Sequence, residues 1–69
     1  MLLNNLGQTI KIRRKELEIT QTVLAELAEV SKNTIYKLER GEGNPSIKTL
    51  HKLLEILGLE IKINVKQNS

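Results

Sequence analysis

The chain has no cysteine, aspartate, tryptophan or phenylalanine, and only one tyrosine, one proline and one histidine. Without cysteine there is no disulfide framework, and a lone histidine leaves no Cys/His cluster for structural zinc. All eight acids are glutamate. That inventory makes a nucleophile with its base and orienting group hard to assemble, and no Gly-rich phosphate loop follows a strand. The expectation is therefore a non-enzyme that needs no cofactor and no metal. One ring is too few for stacking the bases of single-stranded RNA. No apolar run approaches the ~20 residues that span a bilayer, and the start, "MLLNNLG", has neither a basic head nor an apolar stretch of signal-peptide length. A soluble, cytoplasmic protein is expected.

What is present is small and basic. A chain of 69 residues makes one domain, and a core of that size leaves roughly 3–5 kcal/mol of net stability. With disulfides and zinc excluded, association with another chain is the remaining staple. Eleven Lys+Arg against eight acids give a formal charge of +3, which favours a polyanionic partner without establishing one.

Periodicity divides the chain into helices and one strand. Leu6, Ile10 and Leu17 recur at helical spacing, with Lys11, Arg13, Arg14 and Lys15 on the other side and Asn4 or Asn5 as the cap. Thr20 caps a second segment, Gln21 to Ala28, with an apolar stripe of Val23, Leu24, Leu27 and Ala28. Ser31 caps a third, Lys32 to Arg40, whose inward positions Ile35 and Leu38 are joined by Val30, and Gly41 stops it. After the loop "EGNPS", Ser46 caps Ile47 to Leu57, with Ile47, Leu50, Leu53, Leu54 and Leu57 on one face and Gly58 beyond. His51 borders that face and reads as structural. From Leu59 the period falls to two: Leu59, Ile61, Ile63 and Val65 alternate with polar residues, the pattern of a half-buried strand.

Two short helices joined by a tight turn and flanked by supporting helices describe a helix-turn-helix, although periodicity alone fits an ordinary small bundle equally well. The pairs Thr20-Gln21, Leu24-Ala25, Val30-Ser31 and Thr34-Ile35, with Glu39-Arg40-Gly41 and Asn44-Pro45-Ser46, stand in one register. In this the chain resembles the phage-repressor (XRE, Cro/cI type) helix-turn-helix family over roughly residues 6 to 61. Two departures concern Glu18 and Glu29, which stand where the family usually has glycine. A glutamate at positive φ costs on the order of 1 kcal/mol. Thr22 and Val23 also replace the glutamate that usually follows Thr-Gln, so the capping box of the second helix is lost.

The resemblance implies an all-α, lambda-repressor-like domain of five helices, or four if the last is one element. Residues 1–58 form the helix-turn-helix domain, and 59–69 a dimerisation strand with a frayed tail. It makes Lys32 to Arg40 the recognition helix, whose outward Lys32, Asn33, Tyr36 and Lys37 meet base edges: asparagine pairs with adenine, lysine donates to guanine, and tyrosine touches a thymine methyl or a phosphate. Gln21 matches the family's phosphate-clamping glutamine at a helix amino end. Thr34 and Asn44 are further backbone contacts. Arg14 matches a position that pairs with Glu39, contacts phosphate, or does both, while Lys11, Arg13 and Lys15 read as solvated surface.

The implied function is a sequence-specific repressor acting as a homodimer on a palindromic duplex operator. The tail after "LEILGLE" narrows the resemblance to short HipB-like regulators, many of them antitoxins that also bind a toxin. The competing reading is an interaction module that neutralises a partner enzyme, with DNA binding secondary. A lone strand exposes unpaired backbone groups. Pairing of Leu59, Ile61, Ile63 and Val65 with a second copy, over Leu53, Leu54 and Leu57, would set two recognition helices ~34 Å apart. The rivals are a strand folded back on its own domain and one that joins a toxin's sheet.

Overall fold

The computed structural model describes residues 2–62. Four helices follow one another there: α1 (Leu2–Glu16), α2 (Gln21–Ala28), α3 (Lys32–Glu39) and α4 (Ile47–Leu57). Among the described residues there is no fifth helix and no strand, and residues 59–62 adopt no regular structure. A strand is held by ladder hydrogen bonds to a neighbour, and no second strand among the described residues lies within reach to supply them. Leu59 and Ile61 thus belong to an irregular segment, while Ile63 and Val65 lie outside the described residues. No described helix is long and apolar enough to cross a membrane.

Three of the four starts follow from single side chains. Thr20, Ser31 and Ser46 are extended, and their hydroxyls accept from the N–H groups of Val23, Thr34 and Thr49 at 3.1 Å each. α1 begins four residues before the expected Leu6. Leu2 and Leu3 precede Leu6 by four and three positions, so the apolar spacing carries the helix through Asn4 and Asn5, which are helical residues and not caps. The helix stops at Glu16, leaving Leu17 outside it and partly exposed.

All four helices end in the same way. Glu18, Glu29, Gly41 and Gly58 take positive φ, at 58°, 59°, 78° and 68°. Each closes a paired turn in which its own N–H bonds three residues back and the next N–H bonds five back; at Glu29 these are Glu29 to Glu26 at 3.2 Å and Val30 to Ala25 at 3.0 Å. Glycine does this freely, whereas Glu18 and Glu29 each carry a strain of about 1 kcal/mol. The Glu29 carboxylate accepts from Lys52 Nζ at 2.6 Å, tying the α2–α3 turn to α4.

The core consists of Ile10, Leu24, Ile35, Leu38, Leu53 and Leu57, with Ala25 and Ala28 beside them. α2 packs on α3 and α4, and α1 packs on the same two helices. Of the expected α2 stripe Leu24 and Ala28 are buried, with Ala25 beside them, while Val23 and Leu27 are exposed, Leu27 to 53%. At ~100° per residue Leu24, Ala28 and Ala25 share one arc of roughly 100°, and Leu27 falls outside it. Ile47, expected inside, is 84% exposed because it opens α4 ahead of the turn that reaches the core. Arg13, expected as solvated surface, donates from Nε to the Leu57 carbonyl at 2.8 Å and caps the end of α4. His51 is exposed, its Nε2 3.1 Å from Glu55.

Gly7 sets how closely α1 approaches α3. A Cβ there would lie 2.2 Å from the Leu38 carbonyl oxygen, so the two backbones meet at this point. Arg14, two turns further along α1, is thereby laid beside Glu39.

Candidate nucleic-acid interface

α3 has two unlike sides. Ile35, Leu38 and Glu39 are buried, and Lys32, Asn33, Tyr36 and Lys37 are exposed together on the other side. Thr34 lies between, half-buried, its hydroxyl 2.9 Å from that of Ser31 within the cap. Asn44 is exposed in the loop between α3 and α4.

The buried side is anchored by charge. Arg14 is 8% exposed and Glu39 7%. Arg14 donates from Nε and Nη2 to the two Glu39 oxygens at 2.6 and 3.1 Å, and from Nη1 to the Ile19 carbonyl at 2.8 Å. Two parallel bonds between a planar fork and a carboxylate fix direction as well as distance. Glu39 also accepts from Gln21 Nε2 at 3.0 Å. One carboxylate therefore joins α1, the start of α2 and the end of α3. Arg14 faces inward in this arrangement, and Gln21 sits half-buried at the rim.

The amino ends of α2 and α3 open onto one depression. This depression, of about 610 Å³, is lined by Arg14, Lys15, Thr20, Gln21, Thr22 and Lys32, with Glu18 and Ile19 also at its edge. The structure thus joins Gln21 to Lys32, and adds Lys15, which the sequence pattern left as plain surface. Only the return of the chain from α1 into α2 brings Lys15 there.

α4 and the segment after it form a mostly apolar groove of about 500 Å³, lined by Ile47, Leu50, His51, Leu54, Leu59 and Ile61 with Glu55 and Glu60. Leu59 is half-buried against the core and Ile61 is 49% exposed.

A short capped helix that shows polar side chains and is locked from behind by two others defines the helix-turn-helix class. Residues 10–63 match the family model described as helix-turn-helix, and the chain belongs to that family, in its XRE-type branch. It is 38% identical over 63 residues to an immunity repressor protein of Bacillus phage phi105, covering 91% of this chain and 44% of that one. It is 43% identical over 51 residues to an uncharacterized HTH-type transcriptional regulator of Methanothermobacter thermautotrophicus, covering 74% of each. A putative HTH-type transcriptional regulatory protein of Methanococcus vannielii is 40% identical over 55 residues, covering 80% of this chain and 17% of that one. The chain spans less than half the length of the phage relative.

Proposed function

We propose that the chain binds duplex DNA in the cytoplasm with sequence preference and represses transcription by occupying an operator. The observation that carries this reading is α3, whose exposed Lys32, Asn33, Tyr36 and Lys37 stand on a helix fixed from behind by Glu39. Amide and ammonium groups so placed match the donors and acceptors of base edges in the major groove. Gln21, with the lysines of the neighbouring depression, serves the phosphates beside the groove, and Thr34 and Asn44 lie at its margin. Arg14 positions α3 through Glu39 and leaves phosphate contact to Gln21. The repressing sign is carried over from the name of the phage relative.

The DNA-binding protein acts as a homodimer on a palindrome. The apolar groove around Ile47 and Ile61 supports this, because an exposed face of that kind marks a protein contact. The same face is where a toxin would dock if the chain also serves as an antitoxin. The polar face of α3 favours DNA binding over a role as a partner-neutralising module alone.

Selection of bound fragments from random duplex DNA at physiological salt tests the proposal. A recurring two-fold symmetric motif is the expected result. Recovery of no motif, or equal capture of single strands, rejects it. Removal of residues 59–69 is expected to give a monomer in sedimentation that binds half-sites normally and palindromes weakly. A truncated chain that stays dimeric moves the interface elsewhere.

A further inference from the structure

Arg40 comes directly after the last residue of α3 and belongs neither to the base-reading set nor to the phosphate-contacting set. Its N–H bonds to the carbonyls of Tyr36 and Lys37 at 3.3 and 3.1 Å, so it continues the helical path. At ~100° per residue, Lys32, Asn33, Tyr36, Lys37 and Arg40 share one arc of roughly 140°, with Arg40 near its middle. The side chain is 56% exposed.

Two neighbours hold the guanidinium. Nη1 donates to the Tyr36 hydroxyl at 3.0 Å, and Cζ lies 5.4 Å from the centre of the Tyr36 ring. Nε donates to Glu42 Oε2 at 3.2 Å. Glu42 first, then Tyr36, raises the Arg40 pKa above its ordinary value. A guanidinium has five N–H donors, so three remain for another acceptor.

Position decides which acceptor. Helices of this class meet base edges with their amino-terminal residues. Arg40 lies eight residues beyond Lys32, ~12 Å along the axis, a distance comparable to the width of the major groove. With the amino-terminal residues at the base edges, the opposite end of the helix would face the phosphate backbone.

We propose that Arg40 is a further DNA contact, a phosphate clamp oriented by the Tyr36 ring and hydroxyl and occupied in the free protein by Glu42. This rests on α3 being the recognition helix. Tyr36 is then chiefly a positioning residue, and Glu42 is a counter-ion that the phosphate displaces.

The test uses the full chain and the duplex recovered by selection, titrated across salt concentrations. Unaltered protein must first show a steep salt dependence; without it the DNA-binding reading itself fails, whatever Arg40 does. Arg40→Ala is expected to bind about tenfold more weakly on the operator and on unrelated duplexes alike. Its salt slope becomes shallower by about 0.9. Glu42→Gln is expected to tighten binding several-fold in the original background and to do nothing once Arg40 is alanine. Tyr36→Phe keeps the ring and loses the hydroxyl, so it weakens binding less than Tyr36→Ala, and both effects vanish without Arg40. An unchanged salt slope in Arg40→Ala overturns the proposal. So does a loss confined to one base pair, or a Glu42→Gln effect of equal size in both backgrounds. Thermal melts by circular dichroism confirm that each exposed-site variant is folded.

Discussion

α3 and α4 are built with the same start and the same stop. Each opens on a serine whose hydroxyl takes the N–H three residues on at 3.1 Å and meets a threonine hydroxyl, at 2.9 Å in α3 and 3.1 Å in α4. Each closes on a glycine at positive φ. The paired closing bonds match too: Glu42 to Lys37 at 2.8 Å in α3, and Leu59 to Leu54 at 2.8 Å in α4. What differs is the outer face. α3 shows Lys32, Asn33, Tyr36, Lys37 and Arg40, and α4 shows Ile47, Lys48, His51 and Glu55, with half-buried Leu50 beside Ile47 in the groove. Caps make a helix, and it is on the outward residues that the proposed contacts rest: DNA at the polar face of α3, a second protein at the apolar edge of α4.

The two helices are also held differently. α3 adds a buried ion pair to its core residues Ile35 and Leu38, while α4 is fastened by leucines and by Arg13 at its end. Glu39→Ala leaves the Arg14 guanidinium buried without its partner, at a cost of about 3–5 kcal/mol. That is comparable to the whole stability expected of so small a domain, so urea titration should show a largely unfolded chain. A stable Glu39→Ala protein would mean that Arg14 finds water or another acceptor.

Next in size are changes that remove one face and spare the fold. Asn33→Ala or Lys37→Ala is expected to cost about 1–3 kcal/mol on the preferred duplex and to relax one base position, while Gln21→Ala weakens all sequences alike. Ile47→Lys, on the other helix, should leave half-site binding intact and reduce dimerisation in sedimentation. Equal behaviour of the Asn33 and Ile47 variants in both assays would erase the division of labour.

The matched caps sharpen the same contrast. Ser31→Ala and Ser46→Ala should each lower stability by about 1 kcal/mol, measured by thermal melting. Only the first should also weaken DNA binding, since only α3 is proposed to enter the groove.

The smallest expected effect lies at the turn before α3. The Lys52 ammonium, by hydrogen bond and by charge, holds the Glu29 carboxyl below the usual carboxylate range. A depressed folded pKa contributes stability that is present above the unfolded value and fades as acid protonates the folded group. Melts in the original protein should therefore lose a small increment below the carboxylate range that Glu29→Gln does not show. High salt should abolish the difference, because the pair is exposed.

Part of the molecule is legible residue by residue. Thr20, Ser31 and Ser46 announce their helices because a cap is a contact between residues three apart. The outward set on α3 follows from spacing about Ile35 and Leu38. Leu27 and Ile47 are misassigned by spacing because it says which residues share a face, and not which face meets a neighbour. Lys15 and Arg40 do not stand out, since a basic residue at a helix end reads as solvated until its surroundings are known.

Three of the four caps, the spacing of the helical stripes, the basic balance and the family register are local or additive properties of the chain, and the amino-acid order is enough to read them. Tertiary structure decided the rest. It brought Arg13 to Leu57 across 44 residues and Arg14 to Glu39 across 25. It set α1 against α3 at Gly7, the one glycine of α1, and it forced Glu18 and Glu29 into turns that suit glycine. Such contacts depend on the angle at which helices cross, and that angle is fixed only when the whole core closes.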